Sequence, residues 1–143
     1  MKKSGYPNWL VPLELAKRLK EIGFDEECVF TNSYLTDNIS FEIECNDDYY
    51  LSFSDLTLQK NIKDGLVTIP TWEQAFSWFR KKGYEANISY DFQPDLKCAV
   101  GYSYEIIKDC SWENYSSYYI SYEIAREECL KNLISIYNGT NER

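Results

Sequence analysis

An α+β fold, with two antiparallel hairpins packed in two layers against about three helices, is predicted by three observations. Two stretches alternate apolar and polar residues at the strand period, Ile39 to Phe53 and Ile88 to Ile106, each broken by turn residues. Three other stretches carry apolar residues at the helical period, and they stand before, between and after the hairpins. Strands with one wet face need a cover, and each helix has one stripe to supply it.

The stretch that organises the rest is Thr71 to Gly83. Thr71 and Gln74 have capping-box spacing, and Pro70 helps to end the segment before them. Trp72, Ala75, Phe76 and Phe79 form the apolar arc, with Trp78 at its edge. Arg80, Lys81 and Lys82 sit at the negative end of the macrodipole, and Gly83 takes the left-handed stop. This helix is expected to face inward.

In chain order, residues 1–11 read as a flexible arm in which Trp9 and Leu10 pack back. Pro12 suits a first helical turn, Leu13, Leu15, Ala16, Leu19 and Ile22 give the period, and Gly23-Phe24 reads as a Schellman stop. Cys28 to Thr31 is a short strand, and residues 38–54 are the first hairpin, turning at Asn46-Asp47-Asp48. Leu66 to Ile69 is a further strand. The second hairpin turns at Gln93-Pro94-Asp95, and the polar, aromatic segment from Asp109 to Ser117 reads as a loop. Ser121 caps the last helix, whose stripe is Tyr122, Ala125, Cys129, Leu133 and Ile136 and whose end is Asn138-Gly139. Residues 138–143 read as a flexible tail, and the chain as a single α+β domain, 1–143.

Composition narrows the functions. The 143 residues carry a formal net charge of −8, which repels phosphate backbones and anionic lipid headgroups, so no direct nucleic-acid or membrane binding is expected. Aromatic residues make up 17% of the chain, too many for a disordered one. Polar residues follow Met1-Lys2-Lys3 where an export signal needs an apolar run, and no run is long enough to span a bilayer, so a cytoplasmic location is expected. The four glycosylation sequons then carry no meaning. Five cysteines without close pairs fit buried or half-buried thiols better than disulfides.

There is no histidine, which removes Ser-His-Asp and Cys-His nucleophile pairs and His-containing metal sites. The six glycines stand singly and form neither a phosphate loop nor a dinucleotide fingerprint. Neither catalytic residues, nor a metal site, nor a cofactor is assigned. Glu42, Glu44, Asp47 and Asp48 would gather oxygens for a hard cation or an acid–base pair, but a solvated strand face is the ordinary reading of such a pattern. Cys98 and Cys110 are read as unreactive thiols, since a reactive one needs a nearby cation or a helix start and Cys110 has only Lys108 close by. Trp72, Trp78, Tyr102 and Tyr104 would suit a planar ligand, yet at helical or strand spacing such rings are ordinarily core. The candidate binding residues are Trp112, Tyr115, Tyr118 and Tyr119, because Trp and Tyr clustered in a polar loop have the composition of protein-binding hot spots.

Trp72 to Arg80, the hairpin after it, Ser121 to Leu130, and Leu15 to Asp25 together resemble small uncharacterised proteins from bacteriophages, prophages and gut-bacterial genomes. The resemblance implies a common fold and a phage-type origin, and it brings no activity to any residue. The stretch from Asn32 to Lys60 fits the resemblance less well and is where a role peculiar to this chain would lie. The expected function is a non-enzymatic module with a protein partner. The alternatives are an acidic mimic of nucleic acid that inhibits a host defence enzyme, and a carboxylate-based hydrolase. Partner identity and oligomeric state are open at this point.

Overall fold

The computed structural model describes residues 6–32, 41–46, 49–53, 60–61, 67–93, 98–109 and 111–141; for 32, 41–46, 49–53, 93, 98–100, 112–115, 140 and 141 it describes the backbone alone. The fold is α+β, with helices packed on antiparallel sheets. Among the described residues the two hairpins fall into different sheets, one of four strands and one of three. The chain divides into two compact units, Met1–Ala75 and Phe76–Arg143.

In the first unit, α1 (Leu13–Glu21) buries Leu13, Leu15, Ala16 and Leu19. Its end is the Schellman stop expected. Gly23, at φ +96°, donates to the Lys20 carbonyl, Phe24 donates to that of Leu19 at 3.0 Å, and the Phe24 ring is buried. The sheet runs β2 (Phe41–Asn46), β3 (Tyr49–Phe53), β1 (Phe30–Asn32), β4 (Thr68–Ile69), so the short strand β1 lies inside it, pairing with β3 on one edge and β4 on the other. Asn61 ties this unit together: its amide donates to the Phe24 carbonyl at 3.0 Å and its oxygen accepts from Thr68 N–H at 2.9 Å.

From Tyr6 onward the arm is pinned. Leu10 and Val11 are buried, Leu10 bridges Thr71, and Val11 N–H donates to the Pro70 carbonyl at 3.0 Å. The Trp72 indole N–H donates to the Asn8 carbonyl at 2.9 Å, and Trp9 packs edge-on against Phe30.

The division between the units falls inside α2 (Trp72–Lys81). The capping box is formed, with Gln74 N–H donating to Thr71 Oγ1 at 3.2 Å and Thr71 N–H to Gln74 Oε1 at 2.9 Å. The buried face is Trp72, Ala75, Trp78 and Phe79, while Phe76 is only half-buried. Trp78, which the sequence places at the edge, is therefore core, because a one-residue rotation of the arc brings the larger indole inward. At the far end Gly83 takes φ +92°, and Lys108 Nζ donates to the Lys82 carbonyl at 2.6 Å, a cation on the last carbonyls.

The second unit is the sheet β5 (Tyr84–Gln93), β6 (Cys98–Lys108), β7 (Ser111–Tyr115), in that order, with α3 (Tyr122–Asn141) lying against β5 and β6. Trp78, Phe79, Tyr84 and Tyr137 meet edge-on with centroids 5.1 to 6.2 Å apart, the preferred geometry for aromatic quadrupoles. Around them Tyr104, Ile106, Ala125, Cys129, Leu130, Leu133 and Ile134 are buried.

Two expectations are corrected here. The segment read as a loop contains β7, which pairs with β6 from Glu105↔Tyr115 to Lys108↔Ser111; backbone pairing beside a long strand forms it without an apolar pattern of its own. The last helix passes through Gly139 to Asn141 instead of stopping there, and Gly139 has no positive φ.

Candidate protein-interaction surface

The candidate surface is the end of the second sheet that α3 leaves uncovered. Residues of one pleat face pair across β5 and β6 as Ala86↔Ile106, Ile88↔Tyr104 and Tyr90↔Tyr102. At Ile106 and Tyr104 the face is buried. At Tyr90 it is 51% exposed, because the hairpin runs on past the helix. The alternation Ile88, Tyr90, Phe92 reads in sequence as a strand with one covered face, and only its first part is covered.

Three tyrosines are in contact at this open end. Tyr90 and Tyr102 have centroids 5.0 Å apart, Tyr102 meets Tyr122 of α3 at 6.1 Å, and the Arg126 guanidinium lies 5.6 Å from the Tyr122 ring centre. Partial burial holds the Arg126 pKa below its usual value, a shift opposed by Tyr122, Glu123 and Glu127. Beside this row α3 starts with Ser121, whose Oγ accepts the Ile124 N–H at 3.1 Å. The start of the helix carries exposed apolar groups: Ile120 is 90% exposed, and Tyr122 and Ile124 are over two-fifths exposed. Ile124, two residues on from Tyr122, lies on the far side of the helix, so the exposed rings with Ile120 beside them make up the apolar patch, of the kind that marks interaction sites.

The four residues singled out in the sequence are not brought together. Trp112 and Tyr115 lie on β7, in register with Ile107 and Glu105; their side chains are outside the described residues. Tyr118 and Tyr119 follow, and they diverge. Tyr119 exchanges two backbone hydrogen bonds with Tyr102, at 2.7 and 2.9 Å, and its ring stacks on Tyr104 with 9° between the planes. Tyr118 is 48% exposed, and its hydroxyl donates to Asp91 Oδ2 at 2.8 Å. Asp91 pairs with Gly101 and so belongs to the opposite pleat face from Tyr90 and Tyr102. Tyr119 thus serves the core side and Tyr118 the wet side.

Gly101 makes that crossing possible. Its φ is +128°, and a Cβ there would stand 2.6 Å from the Tyr119 carbonyl oxygen and 3.5 Å from Tyr118 Cβ. Only glycine lets the segment lie this close to β6.

The other groups whose titration moves lie in the cores. Burial raises the Tyr104 phenol pKa, partly offset by the hydrogen bond its oxygen accepts from Asn132 at 2.9 Å. Burial pushes Cys129 up to about 12. It pushes Cys28 up to about 11, against a smaller lowering by the neighbouring Thr68 hydroxyl. That hydroxyl is buried and makes no well-formed hydrogen bond, so its contact with the thiol is a weak one. Both thiols are free and held neutral, the opposite of what a nucleophile requires.

Of the other sequence candidates, Trp72, Trp78 and Tyr104 are core residues and Tyr102 belongs to the surface row. Asp47, Asp48 and Cys110, with the side chains of Glu42, Glu44 and Cys98, lie outside the described residues. Among the described residues no group of three or more His, Cys, Asp or Glu side chains is placed to hold a metal, and no helix is long and apolar enough to cross a membrane. Sequence reasoning missed Tyr90 and Tyr122 as surface residues. The one signal for them was an apolar alternation longer than the helix that covers it. Comparison of the chain with protein-family models, with curated proteins and with solved structures finds no match.

Proposed function

We propose that this chain is a small, non-enzymatic protein-interaction module of phage or prophage type that works in the cytoplasm and binds its partner through the open end of the second sheet. The observation that carries the reading is the row Tyr90, Tyr102 and Tyr122, with Ile120 exposed just before the helix start. Rigid aromatic side chains offer large contact area at low entropic cost, and Tyr and Arg are, with Trp, the residues enriched where binding energy concentrates.

Charge supports the same placement. Residues 1–75 hold seven Lys and Arg against thirteen Asp and Glu, whereas residues 76–143 hold eight against ten. The acidity therefore belongs mostly to the first unit, and the unit with the exposed rings is close to neutral, as an apolar docking face requires. The phage-type origin rests on the sequence resemblance at Trp72 to Arg80 and Ser121 to Leu130.

The test is affinity capture from bacterial lysate with wild type and with Ile120→Asp plus Tyr122→Ala, both checked for native circular dichroism. A partner held by wild type and lost by the variant supports the reading. A partner held equally by both, or by neither, rejects it.

A further inference from the structure

The outer edge of β5 has no strand against it among the described residues: the sheet order is β5, β6, β7, and β5 pairs with β6 alone. Free edges of this length are ordinarily blunted by lysine, proline or a bulge. This one has ten residues, Tyr84 to Gln93, with no lysine, proline or bulge of its own; its two charges, Glu85 and Asp91, both stand on the pleat face opposite Tyr90. The register shift near its tip, where Asp91 pairs with Gly101 and Phe92 with Ala99, places the extra residue, Val100, on β6. β5 itself continues its alternation unbroken.

We infer that β5 is a dimerisation edge, and that a second copy of this chain pairs with it antiparallel about a two-fold axis at Ser89, joining two three-stranded sheets into one of six. The strand is complementary to itself in that register. Tyr90 falls opposite Ile88 and Phe92 opposite Ala86, an aromatic against a β-branched residue and a large ring against a small one. On the other face Asp91 falls opposite Asn87 and Glu85 opposite Gln93, so the strand's two charges never meet. A shift of the axis to Ile88 sets Glu85 against Asp91, which like-charge repulsion disfavours.

Size fits a reversible pair. Tyr90 and Phe92 are 51% and 55% exposed, so each has roughly 100 Å² to bury, and with the backbone strip the contact falls at the small end of specific interfaces. The second copy is favoured over an unrelated strand because one sequence supplies both halves of this pattern. The assignment concerns the edge and goes beyond the face assigned above. If it fails while lysate capture still depends on Ile120 and Tyr122, only the dimer is lost.

The experiment is sedimentation velocity on the full chain across a concentration series, with two exposed-site variants. Wild type is expected to pass from monomer to dimer. S89K, which puts two lysines on the axis, is expected to raise the dissociation constant by at least about tenfold. N87K, which puts lysine opposite Asp91, is expected to associate at least as tightly as wild type. A short bismaleimide should couple S89C to itself but not E85C, whose copies would lie roughly 26 Å apart in this register. A wild type that is monomeric throughout, a dimer indifferent to S89K, weakening by N87K equal to that by S89K, or coupling of E85C as efficient as that of S89C each overturns the assignment.

Discussion

Replacing Phe79 by alanine, with Phe76→Ala beside it, tests which face of α2 is inside. Phe79 is fully buried and meets Trp78, Tyr84 and Tyr137 edge-on at 5.1, 6.2 and 6.0 Å. Truncation removes the transfer free energy of a whole ring and leaves a void walled by three aromatic neighbours that cannot all collapse into it. About 4 kcal/mol is expected, within the range for buried Phe→Ala. Phe76 is half-buried, so much of its ring is already in water and its removal opens no closed cavity. About 1–1.5 kcal/mol is expected there. In a chain of 143 residues the first change lowers the melting temperature by roughly 10–15 °C and the second by roughly 3–5 °C. Urea unfolding followed by tryptophan fluorescence gives the free energies directly, provided the slope is unchanged. Equal losses for the two variants would mean that the helix presents Phe76 as squarely as Phe79, and the core described here would be wrong.

Thr71→Ala should cost about 1 kcal/mol by leaving the Gln74 backbone N–H without its acceptor, and a denaturant double-mutant cycle with Gln74→Ala should find the two losses close to additive, since each bond of the box joins one side chain to the other residue's backbone. Gly101→Ala should cost about 2 kcal/mol or more in thermal unfolding, through left-handed strain and the 2.6 Å approach to the Tyr119 carbonyl. The two raised thiols make stability fall at high pH. Each folded-state pKa lies above its ordinary value of 9.0, so the contribution is complete below about pH 9 and is lost as pH climbs toward about 11 for Cys28 and about 12 for Cys129. Cys129→Ala should flatten the upper part of that alkaline decline in urea titrations.

What was legible in the sequence was local. The Thr71-Gln74 cap, the Gly23-Phe24 stop, the Ser121 cap and both hairpins depend on a few neighbouring residues, and each stands where their chemistry puts it. What escaped was decided by partners distant in the chain. Residues 111–115 have no strand pattern and become β7 because β6 offers a partner. Gly139 is a helix stop only if the chain turns there, and α3 continues instead. The choice between Phe76 and Trp78 rests on what lies opposite, which the period alone does not contain.

The surface was harder to read for the same reason. Tyr118 and Tyr119 were visible as tyrosines in a polar segment, but their division between the two faces of the sheet follows from Gly101 and Asp91 on other strands. Tyr90 and Tyr122 carry a core pattern. Nothing in that pattern says that the helix begins too late to cover the tip of the hairpin.

The central claim, that the working face is the open end of the second sheet, is tested most directly by photo-crosslinking in bacterial cells. A benzophenone amino acid is placed at Tyr122 in one variant and at the exposed Glu14 of α1 in another. Crosslinks to a discrete protein from position 122, and none from position 14, are the predicted result. The same product from position 14 and silence at 122 would contradict it.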